Sequence, residues 1–380
     1  MKAALLNDIH FGVHNADEVF SNHQELFFNE VFFPYCHEHD IKNVFVLGDL
    51  YHNRTNLHVK SLYKSRKMFL EPLRDSGMHC EMILGNHDIF SNHVSDISSV
   101  KEVLGYFSNT VKIYTKPVEM TYDGTKVLWV PWINKSNLSK TKQMIVDTDA
   151  KIVFSHLELN GFEYYPGIVS KINPLKEHIK TKDLEKFDAV YTGHYHHKSS
   201  KGNIHYLGSQ TQMSWNDYGS TKFFHIWDSE NPNELIEVRN PNELYSHYHY
   251  DDSKHSSFSE YLSENEESFD RIFRNKFVKI YVVNRQTPAI FDQLIPLLNK
   301  EANAHDIKIV EREFVKKSTD DENLLESIEQ PIKAMSNQQL IHSYVDQFYT
   351  EKEDIDADQL KMMMSEIYSE AEEMMNMGSK

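Results

Sequence analysis

Five short motifs between Asp8 and His196 carry side chains that bind metal ions: Asn7-Asp8-Ile9-His10, Gly48-Asp49, Gly85-Asn86-His87-Asp88, Ser155-His156 and Gly193-His194-Tyr195-His196. Carboxylate, imidazole and amide donors suit borderline-hard divalent cations, Mn²⁺ first, with Mg²⁺, Fe²⁺ or Zn²⁺ as alternatives. The only two cysteines, Cys36 and Cys80, form no ligand cluster, which argues against a structural zinc site. Two cations roughly 3.5–4 Å apart acidify a water between them and clamp the attacking and leaving oxygens of an in-line phosphoryl transfer. These residue types therefore point to hydrolysis of a phosphate ester without a covalent protein intermediate. A single Asp-x-His or Gly-His-x-His arises readily among 22 histidines. Five motifs in order, each closing an apolar run, leave little room for coincidence.

The elements that must position these groups are legible as short β-branched and apolar runs. Residues 3–6, 44–47, 82–84, 127–130, 152–154 and 189–191 predict buried strands, and five of the six run into a motif. Helical spacing over residues 25–35 and 57–73 separates several of them, which predicts an α/β layered domain. Ligand sites in such sheets lie beyond the carboxyl ends of the strands, so groups far apart in sequence can converge there. Glycines before Asp49, Asn86 and His194 permit the tight turns and close backbone approach of a crowded centre.

A second unit is expected from Pro241, with a strand over 276–283, a helix over 288–300 and a strand over 308–315, a small α+β module. After the polar, acidic stretch 316–323 come helical patterns. The domain reading is thus residues 1–240, 241–318 and 319–380, and the length of 380 residues asks for more than one core. The net charge of −17 disfavours a nucleic-acid partner at first sight. However, residues 1–240 balance at −4 and residues 241–380 at −13, and several acids of the first part are candidate ligands whose charge a cation would cancel. No apolar run approaches the ~18 residues of a membrane span. Met1 leads straight into a strand-like segment without the features of a secretory signal, and two cysteines build no disulfide framework, so a cytoplasmic setting is expected.

The succession Asp8-x-His10, Gly48-Asp49, Gly85-Asn86-His87-Asp88, His156 and Gly193-His194-x-His196 resembles that of the calcineurin-like metallophosphoesterases. Within that superfamily the chain is similar to the SbcD-type nuclease subunits of double-strand-break repair complexes, and most similar to the recombination endonuclease small subunits of tailed phages. The residues that carry this are Asp49-Leu50-Tyr51-His52, Ser155-His156-Leu157-Glu158-Leu159-Asn160-Gly161-Phe162 and Tyr206-Leu207-Gly208-Ser209. The likeness covers the first 230 residues and, beyond them, the layout alone. It implies a four-layer αββα sandwich, a small α+β capping and DNA-binding domain and a C-terminal helical region.

The resemblance further implies that Asp8, His10, Asp49 and His196 hold a first ion, and that Asp49 bridges to a second completed by Asn86, His156 and His194. His87 resembles the family's non-ligand histidine at the scissile phosphate, His52 a second histidine near it, and Asp88 the partner that orients His87. Arg54-Thr55 stands where the family often has Arg-Pro, and Ser155 where it has Gly. The implied activity is Mn²⁺-dependent cleavage of DNA, exonucleolytic on duplex ends and endonucleolytic on single strands. The implied partners are DNA and an SbcC-type coiled-coil ATPase, with a homodimer inside a heterotetramer. A phage-encoded chain would act in the host cytoplasm. Rival readings are a phosphoprotein phosphatase or cyclic-nucleotide phosphodiesterase on the same scaffold, and a non-catalytic ATPase-binding subunit.

Lys60, Lys64 and Lys67, with Arg54 and Arg66 nearby, place positive charge along a helix that follows Asp49 and are candidates for DNA phosphates. Trp129, Trp132, Trp215 and Tyr164-Tyr165 are candidates either for base stacking or for core. Cys36 and Cys80 read as buried thiols. Near the end, Ser336-x-x-Gln339 and Asp356-x-x-Gln359 resemble capping boxes. They open apolar stripes, and the second, Met-rich one includes Leu360, Met363, Met364, Ile367 and Tyr368. Such a face suits packing on the body or, as favoured here, an adaptable helix-in-groove contact with the ATPase.

Overall fold

In the computed structural model of the chain, residues 1–91, 94–172, 179–301, 303–311, 361 and 364–365 are described. They fall into two compact units, Met1–Met213 with Gly219–Asn242, and Ser214–Tyr218 with the residues from Glu243 onward.

The first unit is built on two six-stranded sheets. One has the order Leu235–Asn240, Lys222–Asp228, Lys2–Leu6, Asn43–Leu47, His79–Ile83, Val111–Tyr114. The other runs Ser199–Lys201, Ile204–Tyr206, Ala189–Gly193, Ile152–His156, Thr125–Val130, Val118–Tyr122. Four neighbouring strands in each sheet are parallel and the rest antiparallel. Parallel strands are covered on both faces and so are apolar along their whole length, which is why the runs in the sequence were continuous and not alternating.

The side-chain period of two then sorts each strand into two cores. Ala3, Leu5, Phe45, Leu47 and Ile83 of one sheet pack with Val127, Trp129, Ile152, Phe154 and Tyr191 of the other between the two sheets of this unit. Ala4, Leu6, Val44, Val46 and Met82 point the opposite way, against Phe27, Phe28, Phe32, Phe69 and Leu73 of the flanking helices. Leu128, Val130, Val153 and Val190 meet Ile145 and Leu184 on the far side. Helix, sheet, sheet, helix is the αββα sandwich. The two helical stretches expected over 25–35 and 57–73 form, and each contains a wider turn, Phe28–Phe32 and Arg66–Leu70, flanked by ordinary helix. Cys36 and Cys80 are free and buried.

In the second unit Tyr245–Asp251, Phe277–Asn284 and Asp306–Glu311 form a parallel three-stranded sheet with helices Phe258–Phe273 and Pro288–Glu301. Ser257 opens the first helix by accepting from the Glu260 N–H, and Pro288 starts the second. Tyr250, Tyr261, Phe273, Ile280, Phe291 and Leu294 are its core. Of the strand expected over 308–315, residues 308–311 belong to Asp306–Glu311, and 312–315 lie outside the described residues. The proposed capping boxes at Ser336 and Asp356, and Leu360, Met363, Ile367 and Tyr368, lie outside the described residues, whereas Met364 is helical and half-buried.

Candidate metal centre

The motif residues sit at or just beyond the carboxyl ends of parallel strands, and these segments are stitched to one another through their backbones. Asp8, His10 and Phe11 donate their N–H groups to the carbonyls of Gly48 (3.1 Å), Asp49 (3.0 Å) and Leu50 (2.9 Å), so the first two loops run side by side. The third loop is tied in by a carboxylate. Asp88, fully buried, accepts from Gly85 N–H (2.8 Å) and Asp49 N–H (2.8 Å) on one oxygen and from Leu50 N–H (3.0 Å) on the other. From the second sheet, His156 Nδ1 donates to the Leu47 carbonyl at 2.7 Å, and the His194 N–H donates to Asp8 at 2.9 Å.

Seven side chains thereby converge. Asp8, His10 and His196 bring ligand atoms within 4.8 Å of one another, and so do Asp8, Asp49 and His156. His10 Nε2 and His196 Nε2 face each other at 3.0 Å, and Asp49 Oδ2 lies 3.6 Å from His10 Nε2 and 3.4 Å from His156 Nε2. The amide oxygen of Asn86 stands 3.1 Å from His156 Nε2 and 3.0 Å from His194 Nδ1. Asp49 therefore lies between the two groups of donors. Two imidazole nitrogens turned on each other and carboxylates turned on several imidazoles are the arrangement that cations between them would satisfy. The residues fit divalent ions in type, number and convergence.

The electrostatics agree. Burial keeps His10 and His194 well below the usual imidazole range, in the neutral form that ligates metals. His156 is pulled down by burial, but the Asp49 carboxylate outweighs this and holds it up at about 9. Burial raises Asp49 in turn, yet His156, His87 and His10 keep it well below the carboxylate range. To help hold a divalent cation His156 would have to give up that extra proton.

The room for this crowd comes from glycines. A Cβ on Gly85 would stand 2.0 Å from Asp49 Oδ1, and one on Gly193 would stand 2.7 Å from the Leu47 carbonyl and 3.0 Å from Asp8 Oδ2.

His52 and His87 flank the ligands. Their rings stack at 5.4 Å, and one nitrogen of each lies within 4.8 Å of one on His10. Burial, followed by the neighbouring His87, pushes His52 down to about 3. The expectation that Asp88 orients His87 is corrected by the geometry. Asp88 serves backbone N–H groups, and His87 is oriented by its own Nδ1, which donates to the His52 carbonyl at 2.5 Å, while its N–H donates to Asp49 Oδ1 at 2.8 Å. The Asp88 oxygens are taken up by the N–H groups of Gly85, Asp49 and Leu50, with that of Tyr51 at 3.5 Å, and so serve the backbone of two loops. Burial, then the Asp49 charge, raises Asp88 to about 7 against the pull of the Gly85 N–H.

The candidate DNA-contacting lysines are paired with carboxylates. Lys60 pairs with Glu18 (2.5 Å), Lys64 with Glu25 (2.8 Å) and Lys67 with Glu71 (2.9 Å), all partly exposed pairs of small net worth. Arg54 is half-buried in the loop after His52. Trp129 is core, at 0% exposure, whereas Trp132 is half-buried with its ring 5.0 Å from that of His194. Two supporting residues were not singled out from the sequence. Asn7 donates through Nδ2 to Asp8 Oδ2 (2.6 Å) and to the Gly208 carbonyl (2.9 Å). Lys222, 3% exposed, donates to the His196 carbonyl and to Ser209 Oγ, both at 3.0 Å. Asn7 sat inside a motif, but nothing around Lys222 in the sequence signals that its strand lies beside the first one.

Residues 1–198 match the calcineurin-like phosphoesterase family, and the chain belongs to it. The chain is also 28% identical, over 231 residues, to Exonuclease subunit 1 of Enterobacteria phage T4, an alignment that spans 60% of this chain and 65% of that relative, just under two thirds of its length. Among the described residues no helix is long and apolar enough to cross a membrane.

Proposed function

We propose that the chain is the nuclease subunit of a recombination or double-strand-break repair complex, hydrolysing DNA phosphodiester bonds with two divalent ions, Mn²⁺ foremost. The observation that carries this reading is the convergence of Asp8, His10, Asp49, Asn86, His156, His194 and His196 around a shared Asp49. Asp8, His10, Asp49 and His196 would hold one ion, and Asp49, Asn86, His156 and His194 the other. When bound, such a pair supplies the nucleophile and neutralises charge in an in-line displacement.

The chain's own groups do the rest. The Nδ1–H···O=C bond to His52 orients the His87 ring and leaves Nε2 as its other proton-carrying site; with both nitrogens protonated, Nε2 gives its proton to the leaving oxygen and the ring is left as the neutral Nδ1–H tautomer. His52, kept neutral by burial, adds a donor at the phosphate without adding charge. Exposed Lys60 and Lys67, with half-buried Lys64 and Arg54, are the groups offered to flanking DNA phosphates, where a phosphate competes with surface carboxylates at little cost. Similarity to an exonuclease subunit supports DNA as substrate and a multi-subunit assembly, for which we infer an SbcC-type ATPase as partner, a dimer of the nuclease chain and a host cytoplasmic setting.

The test is turnover by the purified chain in Mn²⁺ on labelled linear duplex, circular single strands and a phosphopeptide, with Asp49→Ala as the inactive control. Cleavage of DNA with an inert phosphopeptide is expected. Turnover of the phosphopeptide alone would transfer the assignment to a phosphatase on the same scaffold.

A further inference from the structure

Aromatic rings form a chain of contacts through His194 within the first unit. Trp132 lies 5.0 Å from His194, His194 5.0 Å from Tyr195, Tyr195 6.1 Å from Tyr164, and Tyr164 4.9 Å from Tyr165. Tyr195 is the buried member that anchors the row. Its ring stacks on Tyr206 at 4.4 Å, and its hydroxyl donates to the Leu159 carbonyl at 3.0 Å. Trp132, Tyr164 and Tyr165 are only half-buried. Trp132 is held by its backbone, the N–H donating to the Leu84 carbonyl at 2.7 Å.

Tyr164 and Tyr165 belong to a two-stranded hairpin, Glu163–Tyr165 with Ile168–Val169, that joins neither large sheet. Tyr195 and Tyr206 belong to the second core; Trp132 packs against the first core and Tyr164 against the second, yet both rings, with that of Tyr165, stay half-buried. Their surroundings are basic as well as aromatic. The Lys201 ammonium lies over Gly161, where a Cβ would approach it to 3.3 Å, and exposed Lys171 follows the hairpin. Of the acids here, Glu163 lies 3.6 Å from His197, and Glu158 is near enough to Tyr195 to add to the rise that burial gives its hydroxyl.

We propose that Trp132, Tyr164 and Tyr165 form a stacking track for the unpaired bases of a single nucleic-acid strand whose phosphate occupies the metal centre. Every base has a π-face, so such a track is indifferent to sequence, and lysines beside it follow the backbone. Bases that stack on the row cannot be paired, so a duplex end must fray by a few nucleotides before it is cut. This inference rests on the nuclease reading and adds the state of the strand.

The experiment measures binding without turnover. In EDTA, an oligonucleotide carrying 2-aminopurine is titrated with the full-length chain, as single strand and as duplex. Tyr164→Leu with Tyr165→Leu keeps apolar volume and removes the π-faces, and Tyr164→Phe with Tyr165→Phe restores them. Expected are fluorescence quenching by the wild type, about tenfold weaker single-strand binding in the leucine variant and recovery in the phenylalanine variant, as loss of one stacked base implies. Unchanged binding in the leucine variant would overturn the track, as would an equal loss for the duplex. Near-ultraviolet circular dichroism confirms that the leucine variant is folded. If it is not, Tyr165→Leu alone carries the same comparison. Hydrolysis in Mn²⁺ is scored separately, so stacking without DNA cleavage would sink the nuclease reading and leave the track standing.

Discussion

Four of the seven candidate ligands hold the left-handed backbone that side chains rarely adopt: Asp8 (φ 49), His10 (φ 53), Asp49 (φ 57) and His194 (φ 95). Each such residue costs roughly 1–3 kcal/mol and persists only where its surroundings over-determine it. Here the surroundings are named: Asp88 beneath Asp49, Asn7 and the His194 N–H on Asp8, and the loop-to-loop N–H groups beside His10. Asp88→Asn therefore has a definite signature. An amide can accept from only one of the two N–H sets and turns a donor on the other, so about 2–4 kcal/mol of stability should be lost by urea denaturation. Were Asp88 instead the orienting partner of His87, activity would fall while stability stayed within ~0.5 kcal/mol. His87→Asn should do the reverse, retaining both ions by calorimetric titration while turnover falls about 10²–10⁴-fold. A metal-free His87→Asn protein would make His87 a ligand and undo the division of roles.

At the scale of elements, the strands that carry the site were legible because parallel strands buried on both faces read as unbroken apolar runs, and each run ended on a ligand. The strand Lys222–Asp228 was not, since its Lys222 and His225 break the run and its place beside Lys2–Leu6 is a long-range pairing. Nor does any residue type betray which backbone carbonyl will hold His87, because the His52–His87 contact exists only once two strands are paired. The glycines were legible as turn-formers, and the structure sharpens their role to clearance. Gly85→Ala would drive a methyl to 2.0 Å from Asp49 Oδ1 and 2.5 Å from its backbone nitrogen. Gly77 also has positive φ, at 63, but has open space around it, so Gly77→Ala meets backbone strain alone, about 1 kcal/mol. Both variants should lose some thermal stability, and Gly85→Ala alone should lose tight metal binding by calorimetry. Equal metal affinity in the two would show that Asp49 does not need that clearance.

For the molecule as a whole, the excess acid lies beyond residue 240, away from the candidate centre in sequence, so the charge that would repel DNA is concentrated where we infer a protein partner. Met364 is half-buried and Ser365 buried, so this point of the C-terminal stripe is not fully open to solvent in the single chain. Two arrangements remain distinct in their consequences. If the stripe docks in the groove of a coiled-coil ATPase, replacing Met364 and Ile367 by Asp puts charge at the centre of the contact and costs several kcal/mol, a loss of at least a hundredfold in affinity. Mn²⁺-dependent cleavage by the lone variant should survive, because every candidate ligand precedes residue 200. If the stripe instead completes the chain's own fold, the same charges destabilise the protein, and thermal stability and complex formation fall together. The measurement is paired: cleavage and melting temperature of the isolated Met364→Asp, Ile367→Asp variant, and its co-purification with the ATPase encoded in the same genome. Unaltered co-purification would remove the stripe from the interface, whereas loss of the complex with cleavage and melting temperature intact is the outcome that docking requires.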